Sequence, residues 1–287
     1  NFDLAQRVDT TDEWIRERTG IAERHIADAG QSSATLAAEA ALNALRVANL
    51  NPADLDLIIV STSSPEHIFP ATACLVQDKI GATKAGAFDL LAACTGFIYA
   101  LNMASQAICS GSIRSALVIG AETLSRMVDW QDRNTCILFG DGAGAFVLQA
   151  SSEPGGLLSA VMRSDGSGAD LLSLPAGGSR LPASPETVKT GQHYIHMNGR
   201  EVFRFATRVM TQSTKEAVAA ANLKIDDIHL VVPHQANSRI IEAAMRGLDI
   251  PHERCMINVE RYGNTSTASI PIATCEAIQQ GRLQAGD

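Results

Sequence analysis

The sequence has no CxxC pair, no metal-ligand spacing among its cysteines, no excess of positive charge and no visible signal peptide. Each absence excludes something. Six cysteines (Cys74, Cys94, Cys109, Cys136, Cys255 and Cys275) in a chain this long, without a paired pattern, read as free thiols in a reducing compartment, so a cytoplasmic protein is expected. A net charge of −8 argues against wholesale attraction to nucleic acid or to an anionic membrane. Any basic surface that guides a partner must then be local. Asn1-Phe2-Asp3-Leu4 does not resemble a native start, so the missing leader carries little weight. Leu90 to Ile113 contains no Asp, Glu, Lys or Arg, which invites a membrane reading. Asn102, Ser105, Gln106 and Ser110 interrupt it, and its Ala and Gly content suits a helix buried in protein.

What is present is ample for a core: 287 residues, 46% of them hydrophobic. That length suggests one large domain or two halves. Strand-like and helical runs alternate. Ala34–Ala48 and Ala71–Ile80 have helical spacing, whereas Leu55–Val60, Ala87–Leu90, Ala116–Ile119 and Phe146–Gln149 are short apolar runs typical of strands. The last follows a Gly-rich turn, Gly140–Gly144. Such alternation predicts an α/β fold.

The second half repeats the first. Ala48-Asn49-Leu50 followed by Asp54–Val60 matches Ala221-Asn222-Leu223 followed by Asp227–Pro233. Further on, Ala107-Ile108 and Gly111 match Ala277-Ile278 and Gly281. Carried back along that helix, the register sets Cys94 opposite Asn264. Two ordered matches predict an internal duplication, with halves at 1–160 and 161–287. Pro154–Gly191, rich in Gly, Pro and Ser, is the expected crossing and surface loop.

Three residues carry candidate chemistry. Cys94 lies between a short strand and the uncharged helix, where free backbone N–H groups favour a thiolate. A small core cysteine fits the local sequence as well. His234 follows a buried strand closed by Pro233, at the strand end where ligand chemistry gathers in α/β sheets, although a satisfied loop histidine fits too. Asn264, in the Gly263–Asn264 turn, is either a cap or a hydrogen-bond donor. Together, a thiolate that accepts an acyl group and two donors for an oxyanion suit acyl transfer with enolate stabilisation. The Gly140–Gly144 run is not a dinucleotide fingerprint, because its spacing is wrong and a strand follows it. Asp226-Asp227 have no partner spacing for a metal.

The motifs Asp89-Leu90-Leu91-Ala92-Ala93-Cys94-Thr95-Gly96-Phe97, Pro233-His234-Gln235-Ala236-Asn237 and Tyr262-Gly263-Asn264-Thr265-Ser266 resemble those of the β-ketoacyl-acyl-carrier-protein synthase III family. So do Thr10–Ile15, Arg18–Ile21 and Phe139–Ala145, and the resemblance covers essentially the whole chain. It implies a thiolase-like fold of two duplicated βαβαβ-type halves in αβαβα layers. It implies an acyltransferase that starts fatty acid synthesis by condensing an acyl-CoA primer, usually acetyl-CoA, with malonyl-acyl-carrier protein. Cys94 would carry the acyl group, and His234 and Asn264 would hold the enolate. No metal or redox cofactor is implied, and the coenzyme A thioester is a substrate.

The same resemblance assigns further positions. Trp14 and Arg133 sandwich the adenine of coenzyme A, with Thr10 near the base and Arg18 near the phosphates. Gly199, Phe203, Ala236 and Asn237 line the pantetheine tunnel. Phe69 crosses a homodimer interface into the partner's acyl pocket, unless it is an ordinary core residue. Gln235 and Arg239 fall in the segment that binds the acidic acyl carrier protein. Independently, Arg204 and Arg208 share one helix face, and Arg239 and Arg246 share another, which predicts a local basic patch. Scattered solvated arginines are the plain alternative. The family continues past Asp287 with a Gly-rich strand pair and has a strand before Asn1, so the C-terminal half is expected to be truncated at its end. Arg200 and Asn134 stand where relatives often carry other residues. Three other readings remain: a relative priming a polyketide or signal molecule, a Cys-His-Asn thioester hydrolase, and a binding module without activity.

Overall fold

The computed structural model describes residues 1–287. Ten helices form: α1 (Phe2–Ala5), α2 (Asp12–Thr19), α3 (Ser33–Ala48), α4 (Thr72–Ile80), α5 (Gly96–Cys109), α6 (Pro185–Lys189), α7 (Gly199–Ala220), α8 (Ser238–Leu248), α9 (Val259–Tyr262) and α10 (Ser269–Gln279). Six strands accompany them: β1 (Leu57–Ser61), β2 (Gly86–Leu90), β3 (Ser115–Thr123), β4 (Asp141–Gln149), β5 (Leu172–Ser173) and β6 (His196–Met197). No helix is long and apolar enough to cross a membrane.

The main sheet has the order β2-β1-β3-β4, with β1 parallel to both β2 and β3 and with β4 antiparallel to β3. Alternation along the strands splits the core. Ile58, Val60, Leu117 and Ile119 pack with Ala37, Ala41, Leu45 and Val76 of α3 and α4. Ile59, Ala116 and Val118 point the other way, onto Phe97, Ala100 and Ala104 of α5. Ile270 of α10 joins that second cluster. Ala273 and Ala277, on the same helix, bury with Met256 against Leu230 and Val232. The helices α5 and α10 therefore form a central layer between the sheet and the C-terminal half, as an αβαβα arrangement requires. The uncharged helix α5 is half-buried: Gly96, Phe97, Ala100 and Ala104 are enclosed, while Met103 is exposed.

The Gly-rich run is strand rather than turn. Asp141–Gln149 is one continuous strand paired with β3 throughout. Its glycines bring α10 close: a Cβ on Gly144 would sit 2.8 Å from Pro271 Cβ and 3.0 Å from Ile272 N. Glycine here serves close helix–strand packing.

The halves repeat with unequal completeness. Asn49 and Asn222, both left-handed at φ 50° and 58°, lie 173 residues apart. The same spacing relates the 3-10 turns Pro52–Asp54 and Ile225–Asp227, and the left-handed Ala93 and Ser266 (φ 47° and 48°). It makes Ser61 the counterpart of His234, and Gly96 the counterpart of Ser269. The expected strand over Asp227–Pro233 makes a single parallel bridge, Val231 to Cys255, which copies Ile58 to Ala87. In the first half β1 has a neighbour on each side and completes its ladder, whereas the later run meets only the Cys255 segment.

The register that set Cys94 opposite Asn264 needs correction. The spacing of 170 residues holds at the helix ends, where Gly111 and Gly281 are both left-handed. But α10 has 11 residues and α5 has 14, so three residues are lost along the helix. At the helix starts Cys94 matches Thr267. From Ala87 to Ala93 the chain takes 6 steps, and from Cys255 to Ser266 it takes 11. Asn264 lies in this longer connection and has no counterpart.

Candidate active site

Cys94 sits in the 3-10 turn Ala93–Thr95, which runs directly into α5. Two features shape the turn. Ala93 is left-handed, a conformation that costs a non-glycine residue roughly 1 kcal/mol and is common at functional sites. Gly96 lets the helix start press against β1, because a Cβ there would overlap Ser61 Oγ. Asp89, earlier in the same motif, caps α4: its carboxylate accepts from Thr72 N and Ala73 N, each at 2.7 Å. That helix has no side-chain cap of its own.

Burial pushes the Cys94 thiol pKa up, but the charge of His234 and hydrogen bonds from His234 and Ser266 outweigh it and hold the group below the ordinary thiol value. By contrast, burial raises Cys136 and pushes Cys255 up to about 11. The cysteine with thiolate character is the one beside the histidine.

His234 stands at the end of the strand-like run, with Nδ1 2.7 Å from Ser269 Oγ at the start of α10. Asn264 is fixed more tightly. Its N–H donates to Leu138 O (2.8 Å), and its carbonyl accepts from Gly140 N (3.0 Å). Its side-chain oxygen accepts from Ser266 N at 2.8 Å. With the Oδ1 end engaged, the amide offers Nδ2–H to a ligand. Gly140 and Gly263 make this contact between halves possible, because a Cβ on Gly263 would sit 2.8 Å from Leu138 O and one on Gly140 would overlap Tyr262 O. The connection is also tied to α10. Arg261 Nη1 and Nη2 donate to Glu276 at 2.8 and 2.7 Å, and Tyr262 Oη donates to it at 2.8 Å.

One residue that sequence reasoning missed is Glu122, at the end of β3 and 0% exposed. It accepts from Ser63 N (3.1 Å), Ser64 N (3.1 Å) and Ser64 Oγ (2.6 Å). Burial pushes its pKa up to about 7 against the opposing hydrogen bonds from Ser64, Ser63 and Ser266, and its charge raises the Cys94 pKa. A buried carboxyl in the Ala121-Glu122-Thr123 run carries no sequence signal, because only the fold encloses it.

The outer positions fall on two surfaces. Trp14, on α2, has the guanidinium of Arg133 5.0 Å and that of Arg18 5.4 Å from its ring centroid. Thr10 Oγ1 is buried and has no hydrogen-bond partner. Asn237 caps α8 and donates to Arg18 O at 3.1 Å, so this surface adjoins the His234 segment, with Ala236 half-buried between them. Gly199 and Phe203 lie in the first turns of α7. Arg204, Arg208, Arg239 and Arg246 are all exposed, on the packed pair α7 and α8. Arg204 and Arg246 pair with Glu201 (3.1 Å) and Glu242 (4.0 Å) on their own helices. Phe69 is 84% exposed beside an equally exposed Ile68, so it is not an ordinary core residue.

Gln235 does not meet its expected role at a carrier surface. It is 1% exposed, and its side chain is fully used. Nε2 donates to Pro233 O (2.8 Å) and Met256 O (3.0 Å), and Oε1 accepts from Asn258 N (2.9 Å) and Val259 N (3.1 Å). It locks the His234 segment to the connection that carries Asn264.

A duplicated αβαβα fold with a thiolate-stabilised cysteine between its halves defines a thiolase-like condensing enzyme. Comparison with known proteins narrows the class. Family models for 3-oxoacyl-[acyl-carrier-protein] synthase III and for its C-terminal part match residues 88–166 and 218–287. A β-ketoacyl-[acyl-carrier-protein] synthase III from Roseiflexus sp. is 53% identical, over 100% of this chain and 87% of that protein. The crystal structure of the Aquifex aeolicus synthase III superposes with a TM-score of 0.92 at 48% identity, over 100% of this chain and 88% of its own. A priming β-ketosynthase from the R1128 polyketide pathway gives 0.87 at 34% identity, over 100% and 85%. The chain belongs to the β-ketoacyl-[acyl-carrier-protein] synthase III family.

Proposed function

We propose that this chain condenses an acyl-CoA primer, acetyl-CoA first among them, with malonyl-acyl-carrier protein, using Cys94, His234 and Asn264. The acyltransferase activity and the starting role in fatty acid synthesis follow from the family. The residue roles follow from the chemistry of the site. The Cys94 thiolate attacks the primer thioester, the bond from carbonyl carbon to coenzyme A sulfur breaks, and coenzyme A leaves as its thiolate. Malonyl-carrier protein then loses CO2, and the electron pair of the broken C–C bond becomes an enolate. His234 and the Asn264 amide donate hydrogen bonds to the enolate oxygen. The enolate carbon attacks the acyl carbon on Cys94, the thiolate leaves, and a β-ketoacyl-carrier protein departs.

The observation that carries this reading is the fixed polarity of the site. The thiolate is favoured at Cys94, while the only acceptor on the Asn264 side chain is already bonded to Ser266 N.

The surroundings support further assignments. The Trp14–Arg133–Arg18 cluster suits an adenine and its phosphates, with Thr10 Oγ1 as a free polar atom beside it. Gly199, Phe203, Ala236 and Asn237 are the tunnel positions. Arg204, Arg208, Arg239 and Arg246 form the face offered to an acidic carrier. Phe69 and Ile68 suit insertion into a second copy, making a cytoplasmic homodimer of chains built from halves 1–160 and 161–287. A primer for polyketide synthesis is the second reading, because the R1128 priming ketosynthase shares the fold at 34% identity.

Intact-mass measurement tests the proposal. Acetyl-CoA should add one acetyl group to Cys94, and malonyl-carrier protein should consume it to give acetoacetyl-carrier protein. Cys94→Ala should take no adduct. An adduct lost equally fast without malonyl thioester would identify a hydrolase, and no adduct at all would leave only a binding module.

A further inference from the structure

We propose that Ser269 is a positioning residue that fixes the tautomer of His234, so that the imidazole presents its Nε2–H to the enolate. The inference rests on the role given to His234 above.

Ser269 is 2% exposed, so its hydroxyl has no access to bulk water. Two polar atoms lie within reach of Ser269 Oγ: Gln235 N at 3.3 Å and His234 Nδ1 at 2.7 Å. The Gln235 amide is a donor only, so it takes up a lone pair of the hydroxyl oxygen. The hydroxyl proton therefore has one acceptor, the lone pair of Nδ1. Once Cys94 is acylated it no longer favours a charged imidazole, and a neutral ring that accepts at Nδ1 carries its own proton on Nε2. An Nδ1–H tautomer would set two donors at one oxygen and strand its buried O–H, which costs roughly 1–3 kcal/mol.

The duplication shows why this position is available. Ser269 and His234 are the counterparts of Gly96 and Ser61, and in both halves the end of the first strand meets the start of the central helix. In the first half the approach is so close that a Cβ at Gly96 would overlap Ser61 Oγ. In the second half the same junction holds a hydroxyl and an imidazole in hydrogen-bond contact. Gln235 N, the residue after the histidine, orients that hydroxyl, and the Gln235 side chain is locked by four hydrogen bonds of its own. Strand end, helix start and hydroxyl form one rigid unit, as a supporting shell must.

The test combines a spectrum with a kinetic split. Enzyme labelled with 15N-histidine, with Cys94 alkylated by iodoacetamide to mimic the acylated state, should show His234 protonated at Nε2, the signal being assigned by its loss in His234→Gln. Ser269→Ala should populate the Nδ1–H form. It should lower malonyl decarboxylation and condensation by about 10- to 100-fold, while Cys94 acetylation by acetyl-CoA stays within about threefold. Ser269→Thr, which keeps the hydroxyl, should restore both tautomer and rate. Wild-type enzyme with His234 protonated at Nδ1 would overturn the proposal, whatever the variants do. So would a Ser269→Ala enzyme that keeps the Nε2–H signal, even if its activity falls. If the condensing role itself were wrong, wild-type enzyme would fail to decarboxylate malonyl thioester while the spectrum stayed as expected.

Discussion

At the seam between its halves the molecule builds the same junction twice, and only one copy is reactive. Cys94 and Thr267 occupy equivalent places, one residue after the left-handed Ala93 and Ser266. Ser61 and His234 are likewise equivalent strand ends. On one side Thr267 Oγ1 donates to Ser61 Oγ at 2.8 Å, an ordinary buried hydroxyl pair. On the other, His234 faces Cys94 and lowers its pKa. The backbone scaffold is shared, so the chemistry lies in the side chains and in what each half adds. The second half adds the longer connection with Asn264, and Ser269 where the first has glycine.

The largest expected effect breaks the reactive side. Asn264→Ala or His234→Ala should lower condensation by about 100- to 1,000-fold, the scale of losing one oxyanion donor. In Asn264→Ala, acetylation of Cys94 should suffer far less, and equal losses in the two steps would reject the assignment; His234→Ala also removes the group that holds the Cys94 thiol down, so its acetylation should fall as well. Next comes the junction itself. Gly96→Ser installs in the first half the residue that the second half uses, and should destabilise the protein by about 1–3 kcal/mol through overpacking on Ser61. Denaturant midpoints should show that Ser61→Gly relieves much of this cost, and additive effects would mean that the two positions do not meet.

Glu122 gives a pH signature. Its folded pKa of about 7 lies above the ordinary glutamate value of 4.5, so the folded state holds the extra proton between those values. Stability should therefore fall as pH rises through that window. In Glu122→Gln this part of the slope should vanish from melting curves recorded between pH 4.5 and 8. The smallest effect belongs to the unreactive side. Thr267→Val should cost about 1 kcal/mol for the lost hydrogen bond and leave the condensation rate within about twofold. A large rate loss there would mean that the two copies of the junction are not functionally separate.

Much of this was legible in advance. The helices α3 and α4 fall within a residue of their apolar periodicity, and β1, β2 and β3 fall on the short apolar runs, because burial on one or both faces is written directly into residue order. The repeat was legible through Asn49 and Asn222. Its register near the active site was not, since the shortened α10 and the longer connection before Asn264 shift the alignment without any local mark. The glycines of β4 read as a turn because glycine signals freedom, whereas here it makes room for Pro271 and Ile272. Gln235 read as a contact residue by its place in a motif, yet its amide ties two backbone segments together inside the protein.

By itself, the order of residues determined the α/β class, the repeat, and the identity of the cysteine, histidine and asparagine at strand-to-helix junctions. Those depend on local periodicity and on residue type, which short segments carry alone. Tertiary structure decided which copy of the junction is reactive, what Cys94 faces, how Glu122 is enclosed and where the Ser269 proton goes. Each of these depends on groups far apart in sequence meeting at hydrogen-bond distance, and neither burial nor partnership exists until the halves close on each other.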